Sequence, residues 1–393
     1  MHSNFLDTFI YTGIIGFGAL PQRNRINRRE NRIHMKRYID LQNAAWADKT
    51  ASRIREAKRE ACLAAFGSEA PCAGVIDTQP METLEALIAA GWTVVSSAPG
   101  DLLRRKAARR AVMDSLADDA DCLSPEEHTL VERMLIGDGA AFPETAKEME
   151  AALTLRLRLW CDVGLCSGRP CARLDGALLD ALPGVMMRPM HHDRRSRVFI
   201  FQGMIGALLY LTGFLDSRMP RERFIAEVLG ASPTPETLRL ARNHLEASFD
   251  MIALEDCSLL LHEALAQPEQ LVRTLSAYGA AALPDFGSNK LMGAMNGLLP
   301  EEASLESRLE RALRGALRPE LDAGDAAEDL RLLVKQGAPA SGVREALCAM
   351  LCVTPGTELS ALTDELCRAT PGWLPPFGAS AQGAGGAAAG VIH

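Results

Sequence analysis

Cys161, Cys166 and Cys171 are each separated by four residues, and His191 and His192 follow about twenty residues after the last of them. Thiolate and neutral imidazole are the ligands zinc prefers, so these five residues are the candidate metal site of the chain, with zinc its candidate cofactor. A metal-dependent enzyme built on that cluster is one functional reading. The spacing weighs against it. Two-residue intervals let one tight turn aim two sulfurs at one ion, and no Cys-x-x-Cys occurs. Cys161 also falls in an apolar pattern, where a free thiol behaves as a small buried hydrophobe. Ordinary buried thiols beside an exposed histidine pair are the competing reading.

A second constellation points to nucleic acid. Arg221–Leu229 reads as a helix, Gly230-Ala231-Ser232 as a turn, and Pro235–Leu245 as a second helix that would present Thr237, Arg239, Arg242 and Asn243. Side chains of those types reach base edges and phosphates in helix-turn-helix regulators. The connector is longer than the three or four residues usual in such motifs, and two packed helices joined by a Pro-punctuated connector are the favoured reading. Basic residues also cluster at Arg104-Arg105-Lys106 and Arg109-Arg110. A face of that kind binds phosphate or an acidic partner, or is simply the solvated side of a helix.

Other catalytic signatures fail. The chain has no phosphate-binding GxxxxGK[ST], no nucleophile-elbow GxSxG and no HExxH. Asp285-Phe286-Gly287 matches the metal-binding triplet of kinases without the catalytic or Gly-rich loops that give it meaning.

The elements that must position these residues are mostly helical. Of 393 residues, 48% are hydrophobic, 23% charged and only 5% aromatic, the balance of a globular chain dominated by helix formers. Pro or a capping residue opens most of the apolar-periodic stretches. Ser124-Pro125-Glu126-Glu127 combines an N-cap, a Pro at the first helical position and a capping-box Glu. Helices are expected over Asp101–Ala117, 144–163, Pro235–Leu254, Cys257–Ala266, Pro268–Tyr278 and Pro300–Leu317, among others. In the last of these Leu305, Leu309, Ala312, Leu313 and Ala316 make one apolar stripe. The expected fold is mainly α and multi-helix, in two helical subdomains, with one short two-stranded α/β excursion near 73–98. There Gly74-Val75-Ile76-Asp77 and Trp92-Thr93-Val94-Val95-Ser96 read as strands.

The expected division is a helical domain over 35–182, a linker over 183–195, an all-helical domain over 196–370 and a disordered, low-complexity tail over 371–393. Residues 1–34 read as a non-structured or mis-assigned extension. Arg28-Arg29-Glu30 can be encoded by a purine-rich run resembling a bacterial ribosome-binding site, shortly before Met35. Val198–Leu215 is uncharged and 18 residues long, the lower limit for a membrane span. Gln202, Thr212 and three glycines dilute it, so a central core helix is expected and a membrane partner is not.

The formal net charge of −8 argues against wholesale attraction to nucleic acid. Sparse cysteines on apolar stripes fit a reducing compartment, so a cytoplasmic location is expected. The default function is that of a protein-interaction or regulatory module, binding another protein or a second copy of itself.

Overall fold

The computed structural model describes residues 45–253, 258–266, 288–295 and 297–373. The upstream extension before Met35, the kinase-like triplet, the helix expected over Pro268–Tyr278 and the tail beyond Trp373 lie outside them. The fold is mainly α, with two small three-stranded antiparallel sheets. The described residues divide into two compact units. One comprises 56–203 and 216–249; the other comprises 45–55, 204–215 and the residues from 250 onward.

The first unit begins within α1 (Ala51–Phe66), followed by α2 (Met81–Ala90), α3 (Asp101–Asp121), α4 (Pro125–Ile136) and α5 (Ala146–Leu157). The start of α4 is built as its sequence requires. Glu127 N–H donates to Ser124 Oγ at 3.1 Å, and Ser124 N–H donates back to the Glu127 carboxylate at 2.9 Å. Thr145 and Glu148 repeat that box at α5. The chain then forms a hairpin, β2 (Cys161–Cys166) and β3 (Arg169–Leu174), with β1 (Ala140–Ala141) on the free edge of β3. Ser167 and Gly168 join β2 to β3 with φ of 52° and 77°, the left-handed pair that a two-residue hairpin loop requires. Then come α6 (Gly176–Met186), α7 (Pro189–Thr212), whose residues from Met204 belong to the second unit, α8 (Arg218–Arg223), a π-helical turn at Phe224–Val228, and α9 (Pro235–Ser248). Trp160, Leu130, Met134, Met149, Leu155 and Leu178 lie in the hydrophobic core of this unit.

In the second unit, β4 (Phe214–Asp216), β5 (Asp250–Ala253) and β6 (Ser258–Leu261) form a sheet in the order β4-β6-β5. After α10 (Ser288–Met295), four helices close on one another: α11 (Pro300–Leu313), α12 (Ala323–Lys335), α13 (Ala340–Met350) and α14 (Thr357–Ala369). Leu305, Leu309 and Leu313 of the expected stripe are buried in that group, with Ala312 and Ala316 packed against it.

Several expectations need correction. Residues 73–98 hold no strand. Val75–Thr78 is one helical turn, closed by Thr78 N–H and Oγ1 on the Gly74 carbonyl at 2.9 and 2.7 Å. The extended stretch after α2 finds no strand partner: Trp92 N–H donates to the Leu157 carbonyl at 3.1 Å and Thr93 Oγ1 to that of Arg158 at 3.0 Å. Those tertiary contacts override β propensity. Residues 183–195 are no linker: Pro183 lies within α6, Pro189 opens α7, and the polar run from His191 forms the first turns of α7. The helix expected through Leu254 stops at Ser248, and Ser258–Leu261 is a strand. A short continuous apolar run does not by itself distinguish a buried strand from a buried helix.

The uncharged stretch from Val198 is the buried face of α7, with Val198, Phe201, Ile205 and Leu209 at 2% exposure or less. No described helix is long and apolar enough to cross a membrane.

Candidate functional site

The hairpin separates the candidate zinc ligands. Cys161 and Cys166 are five residues apart on β2, so their side chains leave opposite faces of the sheet. Cys161 is fully buried and its thiol donates to the Ala152 carbonyl at 3.5 Å. Gly164 pairs with Cys171 across the ladder, which puts Cys166 diagonal to Cys171 on one face. Burial, with the neighbouring Cys166 thiol, pushes the Cys171 thiol up to about 12. His191 and His192 lie on α7, and His191 is engaged with Asp121 and His128 rather than with the cysteines. Among the described residues no group of three or more His, Cys, Asp or Glu is arranged to hold a metal ion.

His191 belongs to a different cluster. It is buried, not exposed, and its Nδ1 stands 2.9 Å from Asp121 Oδ1 at the C-terminal end of α3. Its Nε2 faces the Nε2 of His128 of α4 at 3.4 Å, with the rings stacked at 5.6 Å. Arg194 holds the other Asp121 oxygen at 2.9 Å. Arg195 Nη1 approaches His128 Nε2 at 3.3 Å, and Glu132 lies 3.5 Å from His128 Nδ1. Burial pushes the His128 imidazole down to about 4, against the pull of Glu132. The geometry leaves room for one proton between the two facing nitrogens.

A second internal network lies close in sequence. Glu127, already capping α4, accepts from Arg158 Nε at 3.0 Å and from Thr154 Oγ1 at 2.9 Å. Arg158 also pairs with Asp119 at 3.6 Å and lies over the Trp92 ring at 4.9 Å. Asp119 in turn accepts from Arg239 at 3.2 Å. None of this was visible as a motif. One signal was available: Asp118, Asp119 and Asp121 sit in the last turn of α3, where a helix dipole disfavours carboxylates unless cations meet them.

The nucleic-acid candidates are largely engaged inside the fold. Arg239 is committed to Asp119. Asn243 is buried, and Thr237 completes the N-terminal cap of α9 with Thr234. Arg242 pairs with Glu246 at 2.6 Å on the exposed side. In the second unit, Lys335 and Arg331 are buried against Glu302 at 2.9 and 3.6 Å beside Tyr210, an internal cluster that fixes α12 on α11.

The basic stretch of α3 divides in two. Arg104 pairs with Glu85 at 2.6 Å, Arg105 donates to the carbonyls of Ile76 and Gln79, and Arg109 pairs with Asp77 and with Asp175. These three hold the fold. Lys106 and Arg110 instead line a cleft of about 790 Å³. One wall is the α3 face of Lys106, Ala107, Arg110, Ala111, Asp114 and Ser115. The other walls are Val94 and Ser96 of the extended stretch and Pro235, Glu236 and Arg239 of α9. Val94 is 76% exposed, and Leu103 and Met113 of α3 are 50% and 41% exposed. Arg110 and Asp114 pair at 3.3 Å with both side chains mostly in water, an interaction of little strength.

No protein-family model, no curated protein and no solved structure matches the chain.

Proposed function

We propose that the chain is a protein-interaction module of the cytoplasm that receives a partner protein in the cleft along α3. The observation that carries this reading is the open cleft itself, walled by three cations, two carboxylates and small side chains with apolar Val94 at its side. Exposed apolar groups of this size beside charged ones are the ordinary make-up of a recognition surface. The groups best suited to proton or metal chemistry, by contrast, are taken up by one another: His128 and His191 by Asp121 and the neighbouring arginines, and Cys161 by a backbone carbonyl. A reducing compartment is supported by the nine described cysteines, all free thiols.

The test is affinity capture from cells that express the protein, using wild-type and Ala111→Trp chains matched for thermal stability. An indole at position 111 fills the middle of the cleft. A partner held by the wild type and lost by the variant is the expected result. A partner recovered equally by both would overturn the reading.

A further inference from the structure

The cleft has a pattern more specific than its charge. Positions four apart on a helix stack into rows, and the α3 wall carries two of them side by side. Lys106, Arg110 and Asp114 make a charged row; Ala107, Ala111 and Ser115 make a row of small side chains. A row of small residues is a groove in the helix surface, into which the side-chain ridge of another helix packs at close interaxial distance. The rows run over about two and a half turns, roughly 13 Å at 1.5 Å per residue. No aromatic side chain lines the cleft.

Resting on the interaction reading above, we infer that the partner element is an amphipathic helix of about three turns whose carboxylates, four residues apart, face Lys106 and Arg110. Its apolar ridge lies in the Ala107–Ala111–Ser115 groove against Val94. A cation one turn beyond the second carboxylate meets Asp114, which sets the direction of the incoming helix. The exposed Arg110–Asp114 pair opens at little cost when those contacts form. On the wall opposite α3 Arg239 is neutralised by Asp119, and Glu236 there would take a cation of the incoming helix, so the carboxylates are placed by Lys106 and Arg110 alone.

The experiment uses the full purified chain and three labelled peptides, followed by fluorescence anisotropy. The first is a helix with Glu at i and i+4, Lys at i+8 and Leu on the adjacent ridge. The second is its scrambled isomer, and the third exchanges Glu and Lys. Saturable binding of the first alone is expected, weakened about tenfold or more by Lys106→Glu with Arg110→Glu, and weakened by added salt. Both positions are on the surface, and circular dichroism checks that the double variant keeps its fold. Equal binding of the scrambled peptide, no binding of the first, or indifference to the double variant would overturn the inference. If the peptides fail while Ala111→Trp still releases the captured partner, the acidic-helix inference falls and the interaction reading stands. If Ala111→Trp releases nothing, the interaction reading falls instead.

Discussion

Asp119 and Asp121 stand at the end of α3 where the helix dipole opposes them, and each is held by cations from elsewhere in its unit. Removing one member of such a buried set is costlier than never having built it, because the remaining charge is left without compensation. Arg158→Met is therefore expected to lower the unfolding free energy by about 3–5 kcal/mol at neutral pH, measured by urea unfolding. Adding Glu127→Gln should recover part of that loss. Histidines give a second test. His244 Nδ1 donates to the Cys122 carbonyl, just past the end of α3, at 3.1 Å; the ring stacks on Phe224 and is pushed down to about 4 by burial. The carbonyl is an acceptor, so Nδ1 carries the proton, and burial keeps Nε2 unprotonated and the ring neutral at neutral pH. The unfolded chain takes up a proton near 6.5, which the folded chain refuses until about 4. Stability is thus full above about pH 6.5 and falls as pH drops toward 4, by on the order of 3 kcal/mol for this ring. His244→Gln should flatten that part of the pH–stability curve; an unchanged slope would show that the ring is not held neutral.

At the scale of elements, α7 ends on Gly213, whose φ of 78° and whose N–H to the Leu209 carbonyl at 2.7 Å form a left-handed helix stop. A Cβ there would lie 2.9 Å from the Trp373 ring. Gly213→Ala is expected to destabilise by about 1–3 kcal/mol, read as a lower thermal midpoint. The capped helices were legible because their signals are local. Ser124 with Glu127 and the Leu305–Leu309–Leu313 stripe each announce themselves within a few residues. The strands were less so. Ser167-Gly168 suits a hairpin turn, but the strand before it holds a single β-branched residue, Val163, next to Gly164, and Ser258–Leu261 is too short to show a period. The site was legible only in part. The basic run of α3 was plain, yet which arginines hold the fold and which line the cleft depends on Glu85, Asp77, Asp175 and the position of α9. Spacing along the chain carries no information about those partners.

At the scale of the molecule, internal charge serves the fold, and the cleft along α3 is the surface proposed for recognition. The capture experiment identifies a partner, and the footprint of that partner tests the claim most directly. Amide hydrogen exchange of the full chain, alone and in complex, should show protection gathered at 92–96, along 106–115 of α3 and at 235–239 of α9. Protection confined to other surfaces, with α3 exchanging as it does in the free chain, would contradict the account.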